Sequence, residues 1–193
     1  MGQLEFSLNN LIMKSFLYKL YNYLNFFLNQ RKLPQNKRKY FRYGNSWIHK
    51  STRIDNYKNL FIGNNVEIKE NVIIQIYNGK IEIGDNTQLN PFTVIYGGNV
   101  KIGNNVLVAP HCMIASGNHD FLQTEVPMRF AGDLTKGPII IGNDVWIGAN
   151  STVTDGVTIG NGSVIAANSC VTTNVEDFAI YGGVPAKKIG SRK

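Results

Sequence analysis

Cysteine is scarce in this chain of 193 residues: there are two, Cys112 and Cys170, and their separation fits no metal-ligand spacing. That excludes a disulfide scaffold. With no apolar stretch leading to a small-residue cleavage site, it points to a reducing compartment, the cytoplasm. Long hydrophobic runs are missing too, since no segment approaches the roughly 18 uncharged apolar residues that span a bilayer. Acidic residues are outnumbered, 13 against 20 Lys and Arg, for a formal net charge of +7. This excess favours nucleic acid, anionic lipid or phosphorylated small molecules as partners, and charge alone does not choose among them. Histidine is rare as well: His49, His111 and His119 are all there are.

What is present falls into two parts, 1–47 and 48–193. In the first, residues 8–28, "LNNLIMKSFLYKLYNYLNFFL", set Ser15, Lys19, Asn22 and Asn29 along a narrow stripe at helical spacing, and apolar and aromatic residues fill the rest. The pattern predicts an amphipathic helix. Arg31, Lys32, Lys37, Arg38, Lys39 and Arg42 follow directly, and a basic cluster beside an aromatic-rich helix suits a segment, residues 8–42, lying in a membrane interface. Packing of the same helix on its own domain or on a neighbouring subunit is the other reading.

The second part counts in sixes. From Ile141 the chain reads "IGNDVW IGANST VTDGVT IGNGSV IAANSC VTTNVE", with a branched aliphatic opening every unit and Val or Ser at the fifth position of each. The same phase occurs at Ile62 and Ile68, at Ile83 and Leu89, and at Ile102, Val108 and Ile114. A fixed short period signals a solenoid in which each unit buries its apolar residue only against its neighbours. A short strand and a tight turn make one side, Gly, Asn and Asp tolerate the turns, and three units close one coil. The earlier coils are less regular: Ile62 to Ile83 is 21 residues and Ile83 to Ile102 is 19. Small bulges at "YNGK" and near "YGGN" would absorb the extras. With a partial coil from Ile48, about six coils result.

This repeat resembles the hexapeptide-repeat acyltransferases, whose fold is a left-handed parallel β-helix. The resemblance covers roughly residues 48 to 190. Periodicity itself predicts a three-sided parallel solenoid; the left hand is implied by the resemblance alone. Within the family, "GPIIIGNDVWIGANSTVTDGVTIGNGSVIAANSCVTTNV" followed by "AIYGGVPAKKIG" is most similar to the sugar and capsular-polysaccharide O-acetyltransferases. The resemblance implies acetyl-CoA as co-substrate, a sugar or glycan acceptor, and a homotrimer with active sites between subunits.

The period stops at "MIASGNHDF" and resumes near Pro138. A closed prism has no pocket of its own, so a segment projecting over about 115–138 is where catalysis would sit, with His119 at its root. Acetyl transfer from a thioester to a hydroxyl needs a base, and an imidazole suits that task near neutral pH. A donor must also meet the oxyanion of the tetrahedral intermediate. The family carries its catalytic histidine in phrases such as "GNHD", which His119 matches. Asn118 and Asp120 flank it; either could orient the ring or meet the oxyanion, and both also suit a turn. Arg129 and Phe130 could contact a glycan, or be a solvated charge and a packed ring.

Other roles come only from the resemblance. It implies that Asn90 faces the acceptor across the subunit interface, although an Asn there also completes a coil turn. Trp146 would border the site near the thioester, and outward aromatics also simply pack on loops. Ala149, Ala167 and Thr172 match positions along the pantetheine groove, with Thr173 where relatives often have Lys. Lys187 aligns with a residue that meets the nucleotide phosphates, whereas a second basic position falls on Gly190. Lys188 or Arg192 could replace it.

Three rivals remain. The xenobiotic acetyltransferases use a similar "NH" phrase before a longer loop. N-acetylation of a nucleotide-linked amino sugar is the next. A purely structural solenoid would leave the break at His119 without a purpose. A γ-type carbonic anhydrase needs three histidines on one zinc, and His49 sits in the first partial coil, so no metal is expected. Nor does any nucleic-acid motif accompany the basic residues.

Overall fold

Strands of two to four residues follow one another around three sides, because each hexapeptide offers an inward aliphatic and then a residue that accepts the left-handed turn. The structure, a computed structural model, describes residues 40–192. The helix expected over residues 8–28 and the basic residues 31–39 lie outside the described residues.

Side one begins with Ser46–His49, which pairs antiparallel with Tyr40–Tyr43, and continues in parallel through Glu67–Ile68, Gln88–Leu89, Leu107–Val108, Trp146–Ile147, Val164–Ile165 and Ala179–Gly182. Side two stacks Arg53–Ile54, Ile73–Ile76, Val94–Gly97, Met113–Ser116, Thr152–Thr154 and Cys170–Val171. Side three stacks Leu60–Ile62, Ile81–Ile83, Val100–Ile102, Ile139–Ile141 and Thr158–Ile159. The chain visits the sides in the order one, two, three, and the fold is mainly β, a parallel β-helix of about seven turns. Counting hexapeptides gives about six because the last rung, "AIYGGV", carries no repeat signature. It is held there by its antiparallel partner Lys187–Ser191.

Ile68, Leu89, Val108, Ile114, Ile147, Val153, Ile159, Ile165 and Val171 are fully buried, each stacked on its equivalent one turn away. Ile62 is only half-buried, because its strand is the edge of side three and has no turn below it. The fifth positions also point inward, and where they are hydroxylic they are paired: Thr87 Oγ1 donates to the Gly103 carbonyl at 2.9 Å and Ser163 Oγ to the Glu176 carbonyl at 2.7 Å. The corner between sides three and one is equally regular. The Asn104, Asn143 and Asn161 side-chain oxygens accept from the backbone N–H of Asp85, Asn104 and Asn143 in turn, at 2.7 to 2.8 Å. This ladder works only because the preceding residue is glycine; a Cβ at Gly103 would stand 2.6 Å from the Gly142 carbonyl oxygen.

Candidate active site

The stacking is interrupted between sides two and three of the fourth turn. Met113–Ser116 completes side two, and the chain then leaves the coil as a hairpin in which Asn118–His119 pairs antiparallel with Asp133–Leu134, His119 opposite Asp133. Residues 121–130, including a short helical turn at Met128–Phe130, are exposed throughout. The returning strand is fastened at its foot. The buried Asp155 carboxylate accepts from the Lys136 N–H at 2.6 Å, and the Gly156 N–H donates to the Gly137 carbonyl at 3.0 Å. A rigid coil therefore fixes both ends of the excursion.

Under the hairpin root lies a cleft of about 570 Å³, within the range of small-molecule sites. His119, Asn118 and Asp133 line it from the hairpin, Tyr77 from the second turn, and Tyr96 and Asn99 from the third. No described side chain hydrogen-bonds the exposed His119 imidazole, so its nitrogens are open to an incoming group. Directly opposed residues of an antiparallel pair project to the same face, which sets Asp133 beside it. The two tyrosines meet edge to face, ring centroids 4.8 Å apart at 74°. The Tyr96 hydrogen bond, more than burial, pushes the Tyr77 phenol up to about 12. The floor is tied by Ser116, whose hydroxyl donates to the Gly98 carbonyl.

The flanking polar residues divide. Asn118 lines the cleft while its side-chain oxygen accepts from the His119 N–H at 3.0 Å. The Asp120 carboxylate accepts from Leu122 and Gln123 N–H at 3.0 and 3.3 Å, the turn role open to it from sequence. Arg129 and Phe130 sit together at the exposed tip, the guanidinium carbon 5.8 Å from the ring centre, away from the cleft.

The remaining candidates stand elsewhere on the chain. Asn90 is on the corner between sides one and two, where its amide donates to the Val108 carbonyl at 2.8 Å. Trp146 is half-exposed on side one. Ala149 and Ala167 occupy that same corner in successive turns, where space is short: a Cβ on neighbouring Gly148 would meet the Ala167 nitrogen at 2.5 Å. Thr172 and Thr173 are exposed at the corner between sides two and three of the sixth turn. On the final strand Lys188 lies 3.5 Å from Glu176. The Glu176 carboxyl is held below its ordinary value by its own backbone N–H first, then by Tyr181 and Lys188. Arg192 is a strap, donating to the Asp144 carboxylate at 3.0 Å and the Gly162 carbonyl at 2.8 Å. Lys187 is exposed and makes no ion pair among the described residues.

One chain thus gathers His119 and Asn118 with four residues that sequence reasoning missed: Tyr77, Tyr96, Asn99 and Asp133. A signal for three of them was present. The 21- and 19-residue spacings mark the "YNGK" and "YGGN" bulges, and Tyr77, Tyr96 and Asn99 stand in or beside them. Asp133 had no such mark, since only the hairpin register brings it opposite His119.

The chain matches the family model described as bacterial transferase hexapeptide (six repeats) over residues 80–116 and 138–173, on either side of the hairpin. Its fold is similar to that of AntD, an N-acyltransferase from Bacillus cereus whose crystal structure contains dTDP and 3-hydroxybutyryl-CoA. Identity is 30%, 78% of this chain and 81% of that one are covered, and the TM-score is 0.69. Protein CapG from Staphylococcus aureus is 66% identical over 53 residues, 28% of this chain and 31% of that protein. A chloramphenicol acetyltransferase from Agrobacterium fabrum is 49% identical over 61 residues, 32% and 29% of the two chains. The matched stretch therefore spans less than a third of the length of these curated relatives. Fold, repeat and similarity agree: the chain belongs to the hexapeptide-repeat transferase family.

Proposed function

We propose that the protein is an acyltransferase that moves an acetyl group from acetyl-CoA to a sugar, with His119 as general base. The observation that carries this is an imidazole without a hydrogen-bond partner among the described residues, at a rigid hairpin root, facing a cleft of about 570 Å³ lined by the Asp133 carboxylate and by tyrosine and asparagine side chains. In that arrangement the acceptor oxygen attacks the thioester carbonyl carbon as its proton passes to His119. The tetrahedral intermediate then expels the coenzyme A thiolate, which takes up the proton. No acyl-enzyme is needed.

The acetyl-CoA reading draws support from small residues on one corner, Ala149 and Ala167, and from the exposed Lys187 on the final strand, which makes no ion pair among the described residues. The working assembly in this reading is a homotrimer, with Asn90 and Trp146 reaching the cleft of a neighbour. The acceptor group is a hydroxyl of a sugar or of a surface glycan, capsular, O-antigen or exopolysaccharide. A hydroxyl is a poor nucleophile until a base removes its proton, and the open imidazole answers that need. Similarity to AntD supports a second reading, transfer to the amino group of a nucleotide-linked sugar. Incubating purified protein with acetyl-CoA, while following free thiol, tests both. The hydroxyl reading expects turnover with neutral sugars or capsule fragments. Turnover only with dTDP-linked amino sugars favours the second reading, turnover only with chloramphenicol sinks both, and no thiol release with any acceptor sinks the transferase.

A further inference from the structure

Asparagine followed by glycine occurs twice in the chain, at Asn78–Gly79 and at Asn161–Gly162. The pair is chemically distinctive, because glycine has no side chain to keep its backbone nitrogen away from the asparagine side-chain carbon. Attack of that nitrogen closes a five-membered succinimide. The ring forms only where both groups are free, and the fold treats the two pairs oppositely. Asn161 and Gly162 are locked into the corner between sides three and one. The Asn161 side-chain oxygen accepts from the Asn143 N–H at 2.8 Å, the Gly162 N–H donates to the Asn143 carbonyl at 2.8 Å, and Gly162 is buried. Ring closure there would break both bonds and strand buried polar groups.

Asn78 and Gly79 stand instead in the bulge between sides two and three of the second turn, where residues 77–80 are all exposed. Neither the Asn78 side-chain amide nor the Gly79 N–H makes a hydrogen bond among the described residues. The nucleophile and its target carbon are neighbours in water, with no bond to give up. The bulge also belongs to the wall of the His119 cleft, which Asn78 lines together with Tyr77, Gly98 and Asn99. Its backbone fits closely there. A Cβ on Gly98 would stand 1.2 Å from the Asn78 carbonyl oxygen, and one on Gly79 would stand 2.2 Å from the Asn99 side-chain oxygen. An atom added to this stretch of main chain has no room unless the wall moves.

We infer that Asn78 is a site of spontaneous covalent modification, a succinimide-forming asparagine whose conversion alters the wall of the His119 cleft. The Gly79 nitrogen bonds to Asn78 Cγ, the Cγ–Nδ2 bond breaks, and the Gly79 proton passes through water to the departing nitrogen, released as ammonia. Water then adds to one of the two ring carbonyl carbons, whose bond to the Gly79 nitrogen breaks, and the N–H is restored. Opening at Cγ leaves aspartate, a new carboxylate in the wall. Opening at the backbone carbonyl leaves isoaspartate, whose main chain is one carbon longer. The effect on acceptor binding rests on the transferase reading, whereas the modification itself does not.

The full chain is incubated in mildly alkaline buffer beside a synthetic peptide of residues 70–80, ENVIIQIYNGK, and both are mapped by mass spectrometry with enzymatic methyl labelling of isoaspartate. Asn78 should gain one mass unit and the isoaspartate label at a rate comparable to the peptide's, and at least about tenfold faster than Asn161. Asn78→Gln, which would have to close a less favourable six-membered ring, should stay unmodified. In the same samples the acceptor kcat/KM of the wild type should fall in step with conversion, while the Asn78→Gln protein holds its own starting value and Asn78→Asp reproduces the part of the loss due to aspartate. An intact Asn78 once the peptide is fully converted, or an equal rate at Asn161, overturns the inference. Conversion that leaves acceptor kcat/KM unchanged overturns the effect on the cleft. Absence of thiol release with every acceptor sinks the transferase reading, and the mass measurement then still decides the modification.

Discussion

Cys112 shows how closely each residue is bound to its place in the coil. Its thiol is buried at a fifth position and donates to the Gly148 carbonyl at 3.2 Å. Burial, the largest cause, raises it above the ordinary value of 9.0. The folded state therefore holds this proton more tightly than the unfolded one. The resulting stability is complete below the unfolded value and is lost as pH rises through the raised folded value. Denaturant midpoints measured from pH 7 to 10 should fall in the wild type, and the part of that slope due to Cys112 should vanish in Cys112→Ala. An identical slope in the variant would refute this. At the same scale the sequence was legible where chemistry and pattern coincided. His119 stood where six-residue counting stopped for more than twenty residues, whereas Asp133 stood in a segment without period, and only antiparallel pairing gives it a neighbour. Asp120 and Asn118 looked alike in sequence; a turn used one carboxylate and left the other side chain on the cleft.

Among the elements, the bulge beneath the cleft and the final strand make separable predictions. A Cβ on Gly98 would fall on the Asn78 carbonyl, and both residues line the cleft. Gly98→Ala should cost about 2–4 kcal/mol by denaturation and weaken acceptor binding, because the Tyr77 turn must move. An unchanged midpoint would mean that this turn yields freely. On the final strand Lys187 has no ion pair among the described residues, whereas Arg192 ties Asp144 and Gly162. Lys187→Ala should raise the KM for acetyl-CoA several-fold at constant stability. Arg192→Ala should lower the melting temperature with little effect on that KM, and the reverse pattern would reassign the phosphate contact. These distinctions were not readable beforehand, because sequence offered three cations near Gly190 and only folding decided which of them was already paired. The hexapeptides themselves were fully legible: each aliphatic buries against its copy, so period alone specifies sides and core. The last rung escaped because its partner strand, not its sequence, holds it in line.

Among the described residues, a closed coil carries a hairpin at the corner between sides two and three of its fourth turn. That division makes the fold insensitive to the chemistry and leaves the chemistry dependent on a few side chains at one height. The N-terminal segment belongs to this scale too. If residues 8–42 hold the enzyme at the inner membrane face near a lipid-linked glycan, deleting residues 1–40 should abolish sedimentation with anionic vesicles, and full binding by the truncated protein would remove the idea. The central claim is that one imidazole at the hairpin root drives acyl transfer. Thiol release from acetyl-CoA, in the presence of the best acceptor, should fall by about 10²–10⁴-fold in His119→Ala, with an unaltered circular dichroism spectrum and melting temperature. A folded His119→Ala protein that turns over at the wild-type rate would contradict the account.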